Sequence, residues 1–199
     1  MILLTPQKSL GAMNQTGYWD GIFTVDQLQY ILALPCWVQQ TPGLIGGSGS
    51  AGEENKTIRS SRISWMTFDE KTSPIFHHLG KVIATANAKI FNYDLTGFDA
   101  IQCGIYSSGD QDHYDWHCDS GPTVDGAQRK LSISILLDDP STFEGGLLQI
   151  KLMDDAPVTL DQQLGRALMF PSYTLHRVTP VTKGIRRSLV IWVVGPDFR

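Results

Sequence analysis

Apolar positions along this chain follow two periods, and the change from one to the other near residue 98 divides it. In the first half, Leu28, Ile31 and Leu32 make a helical stripe within residues 23–32. Thr24 stands where an N-cap belongs, and Gln27, three residues on, completes a capping-box pattern. Pro35 ends that helix. Residues 41–61 carry Pro42, the tract Gly46-Gly47-Ser48-Gly49-Ser50 and Glu53-Glu54-Asn55-Lys56, and so predict a long polar loop, a surface insertion in the first reading and a lid over a site in the second. Ser73-Pro74 then opens a second helix, with Ser as the cap and Pro in the first helical position. Ile75, Phe76, Leu79, Val82, Ile83 and Ala86 recur at helical spacing and cover one face of a sheet. His77 and His78 lie on this helix with no acid or histidine at a suitable spacing, and read as surface or packing residues.

From Phe98 onward the pattern is one of short strands: 98–106, 131–137, 147–152, 167–170, 174–178 and 188–194. Leu131-Ser132-Ile133-Ser134-Ile135 alternates as a half-buried strand should, and Asp138-Asp139-Pro140-Ser141 breaks it. Strands separated by Gly, Pro and Asp turns predict a sandwich or barrel, with the helices packed outside it. There is no internal repeat, so residues 1–199 read as a single domain. Its helical support covers about 23–90 and its β core about 98–194.

Composition narrows the function. Hydrophobic residues at 42% and charged residues at 18% are ordinary for a globular domain, and 199 residues bury a core without disulfides. A formal charge of −4, with no basic run interleaved with aromatics, argues against a nucleic-acid partner. The chain has no apolar stretch long enough to span a bilayer, and its start does not read as a secretory signal. Cys36, Cys103 and Cys118 are far apart in sequence and include no CxxC pair, so reduced thiols and a cytoplasmic location are expected.

The chemistry concentrates in three places. In Tyr114-Asp115-Trp116-His117-Cys118-Asp119, strand alternation puts His117 and Asp119 on one face and turns Cys118 away. The same alternation places Tyr114 and Trp116 opposite His117, in core packing roles. His176 is the candidate third ligand from elsewhere in the chain. Two histidines and one carboxylate on one face of an octahedron leave three positions open, as in non-haem Fe(II) oxygenases, whereas a closed zinc site would recruit the cysteine. Arg186 and Ser188 share a face of the last strand, where an arginine fork and a hydroxyl suit a bound carboxylate; Arg187 faces the other way.

At these residues the chain resembles the Fe(II)/2-oxoglutarate oxygenases, specifically the prolyl 4-hydroxylase-like branch. The resemblance spans roughly residues 98–194 and rests on motifs in a fixed order. They are Tyr106-x-x-Gly109, Tyr114-x-x-His117-x-Asp119, Phe143-Glu144-Gly145-Gly146-x-Leu148, Gly165-Arg166-Ala167-Leu168-Met169-Phe170-Pro171-Ser172, His176-x-Val178 and Arg186-x-Ser188-x-x-x-Trp192. The resemblance implies a double-stranded β-helix, a distorted jelly roll. It implies Fe(II) held by His117, Asp119 and His176, with 2-oxoglutarate and O2 as cosubstrates. Tyr106 would hydrogen-bond the 2-oxoglutarate, whose distal carboxylate Arg186 and Ser188 would hold. The expected reaction decarboxylates 2-oxoglutarate to succinate and hydroxylates an unactivated C–H bond. A prolyl residue of a peptide or protein is the first substrate expectation, and a free amino acid or other small molecule is the runner-up. A non-catalytic jelly-roll binding module is the reading from another class, and such a module has no use for His117, Asp119, His176 and Arg186 together.

Overall fold

A computed structural model describes residues 16–46, 52–123, 126–152 and 156–197. The N-terminal stretch and most of the Gly-Ser tract lie outside the described residues. In chain order the elements are β1 (Gly17–Trp19), α1 (Val25–Leu32), β2 (Thr41–Pro42), β3 (Arg59–Ser60), β4 (Arg62–Trp65) and α2 (Ser73–Ala86). Then come β5 (Gly97–Ser107), β6 (His113–His117), β7 (Gln128–Leu136), β8 (Glu144–Gly145), β9 (Leu148–Lys151) and β10 (Val158–Thr159). The last four are β11 (Ala167–Pro171), β12 (Leu175–Val178), β13 (Val181–Lys183) and β14 (Ile185–Gly195).

Both helices form where the apolar stripe and the caps place them. Thr24 accepts from the Gln27 amide at 3.2 Å and Gln27 returns the bond to the Thr24 amide at 2.8 Å, a complete capping box. In α2 the N-cap is Thr72, one residue earlier than expected, so Pro74 occupies the second helical position. Asp69 makes this shift by accepting from the backbone of Lys71 and Thr72. Pro35, expected only to stop α1, also starts a 3-10 turn over Pro35–Trp37, because its fixed φ suits a first helical position.

A major sheet runs in the order β1-β11-β7-β14-β5-β4-β2, a minor one in the order β10-β9-β12-β6-β3, and β8 pairs with β13. This is the double-stranded β-helix that the motifs imply. Side-chain alternation assigns each central strand two jobs. Ile101 and Cys103 of β5, Leu131, Ile133 and Ile135 of β7, and Leu189, Ile191 and Val193 of β14 all pack toward the helices, against Ile31, Ile75, Leu79 and Ile83. The alternate residues Gln102 and Tyr106, Ser134, and Arg186, Ser188 and Trp192 line a cavity. Strand β7 is buried on both faces, not on one as its pattern suggests, because the helices cover one side and the minor sheet faces the other.

The described residues of the segment 41–61, which are 41–46 and 52–61, are more ordered than their composition implies. They contribute β2 and β3, and an antiparallel bridge joins Ile45 to Glu53. Thr41, Pro42, Leu44 and Arg59 line the cavity, so the segment is a wall of it and not a surface insertion.

Candidate metal centre

Strand β12 lies between β9 and β6, and its pairing sets His176 directly opposite His117. The two rings are 4.1 Å apart between centroids. Asp119 falls just past the end of β6, where backbone bonds from Asp119 and Ser120 to the Ser172 carbonyl, both 2.9 Å, hold it beside them. His117 Nε2 lies 3.7 Å from Asp119 Oδ1, and His176 Nε2 lies 3.4 Å from Asp119 Oδ2. One donor atom from each residue lies within 4.8 Å of the others, and no further cluster of this kind occurs among the described residues. Neighbouring ligands on an octahedron with bonds near 2.1 Å sit about 3 Å apart, so a small closure suffices to share an ion.

The hydrogen bonds leave the right atoms free. His117 Nδ1 faces the Asp115 carbonyl at 2.7 Å and His176 Nδ1 faces the Thr174 carbonyl at 2.8 Å. A carbonyl only accepts, so each Nδ1 carries the proton and each Nε2 keeps its lone pair for a metal. Burial, reinforced by the field of His176, pushes the His117 imidazole down to about 3 against the opposing pull of Asp119. Burial alone would raise the Asp119 carboxyl, but the two imidazoles and a 2.8 Å bond from Ser132 Oγ bring it below its ordinary value. Imidazoles whose Nδ1–H is held by a carbonyl, with Nε2 facing a carboxylate, present the atoms that Fe(II) needs.

The sign of this shift gives a pH prediction for metal-free protein. An unfolded His117 binds a proton near 6.5, whereas the folded one does so only near 3. Between these values the unfolded state holds more protons, so stability falls as pH falls. From pH 6.5 to 5 the contribution lost is about 2 kcal/mol. Urea midpoints measured at several pH values should show this slope, and it should be absent from His117→Gln; equal slopes in the two proteins would refute it.

One expectation about β6 fails. In the pairing with β12, one residue of β12, Arg177, opposes two of β6, Asp115 and Trp116, between the His176–His117 and Val178–Tyr114 pairs. This bulge breaks the alternation and turns Tyr114 to the face of His117. Tyr114 stacks on His117 at 3.5 Å, and Arg59, its cross-strand partner on β3, lies 4.4 Å over the other face. Trp116 is not a core residue either. It lies between Arg177 and Lys151, at 4.6 and 5.2 Å. Cys118 does turn away as expected, and its thiol donates to the Tyr173 carbonyl.

Arg186 is 1% exposed, and burial lowers its pKa. Its Nη1 donates to Ser188 Oγ at 3.0 Å and its Nη2 to Gln162 Oε1 at 2.8 Å. Its Nε is buried without a partner, and no carboxylate among the described residues pairs with it. A buried cation whose hydrogen-bond partners are all neutral is costly until an anion arrives. It borders the same cavity of about 510 Å³ as the two histidines, Asp119 and Tyr106. That fits a carboxylate-bearing cosubstrate spanning from the metal to Arg186. Gly146 makes this possible: at φ 59° a Cβ there would meet Arg186 Cδ at 2.7 Å. Arg187, by contrast, is held by Asp138 on the other face.

Three contributors had no signal in the sequence. Ser132 is one of two serines in an apolar strand, yet it links Asp119 to Ser172, with Ser132 Oγ 3.0 Å from Ser172 Oγ. Gln162 sits in a connection, and Arg59 in what reads as a loop. Removing an outer hydrogen bond to a ligand typically costs roughly 10- to 100-fold in metal affinity, and Ser132→Ala should fall in that range. Competition with a metallochromic chelator measures it, and unaltered affinity would exclude the role.

Comparisons with known proteins agree with this geometry. Residues 101–194 match the 2OG-Fe(II) oxygenase superfamily. A PKHD-type hydroxylase of Sphingopyxis alaskensis is 37% identical over 84 residues, 41% of this chain and 38% of that protein. Another, of Idiomarina loihiensis, is 39% identical over 100 residues, 47% of this chain and 43% of that protein. The chain thus spans about two fifths of the length of the curated relatives it matches. A Trichoplax adhaerens prolyl hydroxylase solved with a hypoxia inducible factor peptide fragment superposes with a TM-score of 0.72 at 20% identity, over 92% of this chain and 84% of that one. A Pseudomonas putida prolyl-4-hydroxylase gives 0.69 at 20% identity, over 94% and 95%. The chain is therefore similar to 2OG-Fe(II) oxygenases of the prolyl 4-hydroxylase kind, and its fold is theirs.

Proposed function

From a similarity to 2OG-Fe(II) oxygenases that covers residues 101–194, we propose that this chain is an Fe(II)- and 2-oxoglutarate-dependent dioxygenase hydroxylating a prolyl residue of a peptide or protein. The observation that carries this reading is one cavity with two complementary features. His117, Asp119 and His176 converge on its wall, and so does a buried arginine with an unpartnered Nε. With its cosubstrates bound, Fe(II) supplies the oxidation that turns 2-oxoglutarate into succinate and carbon dioxide and adds an oxygen atom to a C–H bond.

The chain's own residues hold and orient. His117, Asp119 and His176 are the metal ligands, with half of the coordination sphere left to others. Arg186 and Ser188 take the distal carboxylate, and Tyr106, 4% exposed, adds a hydroxyl to the same pocket. Fixing both ends of the cosubstrate turns a chance encounter into a fixed geometry. Phe170, Leu148 and Val178 exclude water from that end of the cavity. Trp65 and Trp192, with ring centroids 6.1 Å apart, also line the cavity and offer aromatic faces suited to a pyrrolidine ring. In this reading residues 1–199 act as one oxygenase domain, in a reducing cytoplasm where thiols persist.

No helix among the described residues is long and apolar enough to cross a membrane. The prolyl hydroxylase neighbours, one of them solved with a peptide, support a peptide or protein substrate. The test is a panel of proline-containing peptides supplied with Fe(II), 2-oxoglutarate and air. A peptide gaining one oxygen on proline, with matching succinate, is the expected result. Turnover confined to free amino acids or other metabolites would replace the peptide reading, and absence of any Fe(II)-dependent succinate would remove the oxygenase reading itself.

A further inference from the structure

Cys36 and Cys103 are 67 residues apart in sequence, yet their sulfurs lie 3.2 Å apart. The contact has a structural cause. Ser64 of β4 pairs in register with Cys103 of β5, and the Ser64 hydroxyl donates to the Cys36 carbonyl. Gln40 Nε2 donates to the same carbonyl at 2.9 Å, and Trp37 Nε1 donates to the Ile31 carbonyl at 2.8 Å. Together they seat the Pro35–Trp37 turn over Cys103. Cys103 is fully buried, Cys36 half-buried, and both thiols are free.

We propose that Cys36 and Cys103 are a peroxide-oxidisable thiol pair, and that their disulfide clamps the base of the cavity wall. The pair is asymmetric, as such chemistry requires. The hydrogen bond from Cys103 holds the Cys36 thiol below its ordinary value, while the same contact and burial push Cys103 up. Cys36, the more accessible and more acidic of the two thiols, is thus the one that meets the oxidant. Its sulfur attacks hydrogen peroxide: an S–O bond forms, the O–O bond breaks, and the departing hydroxide leaves as water with the thiol's proton. The resulting sulfenic acid is then displaced by Cys103. The S–S bond forms, the S–O bond breaks, and the second hydroxide takes the Cys103 proton. Two thiols and one peroxide give one disulfide and two waters, with both electrons passing from sulfur to peroxide. A disulfide needs sulfurs about 2.05 Å apart, so the turn has only a short distance to close.

The consequence reaches the cavity along the chain in both directions. Five residues beyond Cys36, β2 begins, and its Thr41 and Pro42 line the cavity, as does Leu44 after them. On β5, Gln102 beside Cys103 also lines the cavity and accepts from Arg59 at 2.8 Å. The disulfide therefore ties the entry of one wall to the floor of another.

The experiment uses the full chain with reductant removed, treated with hydrogen peroxide and digested without reduction. The expected product is a single linked pair of peptides containing Cys36 and Cys103, reversed by dithiothreitol, with Cys118 still a thiol. In Cys103→Ser, and in Cys103→Ala should the serine variant fold poorly, the sulfenic acid on Cys36 should persist and label with dimedone. Oxidised wild type should show slower amide hydrogen exchange over residues 35–46. Oxidation of Cys118 while the pair stays reduced, or a linked pair that forms only in urea, would overturn the proposal. Unchanged exchange in the linked protein would overturn the clamp.

Discussion

Replacing His176 with alanine is expected to leave a folded protein that loses Fe(II) on desalting and forms no more succinate than a protein-free control. The reason lies in how the centre is built. His176 and His117 are direct cross-strand neighbours, and Asp119 reaches them from a loop held to the Ser172 carbonyl. A facial site with one imidazole removed keeps two adjacent donors, too few to retain the ion against water and buffer. His176 is also 5% exposed, so no nearby solvent group replaces it cheaply. Metal content after gel filtration and 2-oxoglutarate consumption are the two readouts. Retained iron with full turnover would mean that another residue completes the site, and the assignment of β12 to the metal would have to be given up.

The second large effect belongs to Arg186, and it has two parts of opposite sign. Arg186→Met keeps the bulk and removes the charge. Losing the buried partner of a carboxylate costs at least about 2 kcal/mol, so the 2-oxoglutarate requirement should rise at least about 30-fold. Without cosubstrate, however, Arg186 is a desolvated cation with an unpartnered Nε and only neutral hydrogen-bond partners. An apolar replacement should leave the ligand-free protein as stable as wild type or up to about 4 kcal/mol more stable. Steady-state kinetics against 2-oxoglutarate give the first part, and denaturant midpoints without ligand give the second. If the requirement stayed at the wild-type level, the distal carboxylate would need another partner. If the ligand-free variant were strongly destabilised, Arg186 would be a structural residue and not a waiting binding group.

How much of this was legible before folding depends on the range of each interaction. Strand alternation set Arg186 with Ser188 against Arg187 on β14, as the structure has them, and gave β7 its apolar face but not the burial of its other face. Alternation is a property of a single strand, so one chain segment carries all of it. It misplaced Tyr114 because the bulge in β6 exists only in the pairing with β12. Ser132 passed for an ordinary polar position because a serine gives no hint of which carboxylate it will meet. The segment 41–61 read as an insertion because its polar residues are used by a cavity, through Arg59 and its partners Ser61, Leu44 and Gln102.

The order and spacing of His117, Asp119, His176 and Arg186 are written in the chain, and with them the proposed metal site and the β-rich architecture. Those are properties of residue type and local period, which a linear pattern holds completely. Only the folded arrangement decided which neighbours make the site work. These are the stacked Arg59–Tyr114–His117 layer, the Ser132 link, Gln162 on Arg186, and two thiols set sulfur to sulfur. Each joins segments with no shared local signal. Their meeting depends on the register of several strands at once, and that register is set by burying the whole core.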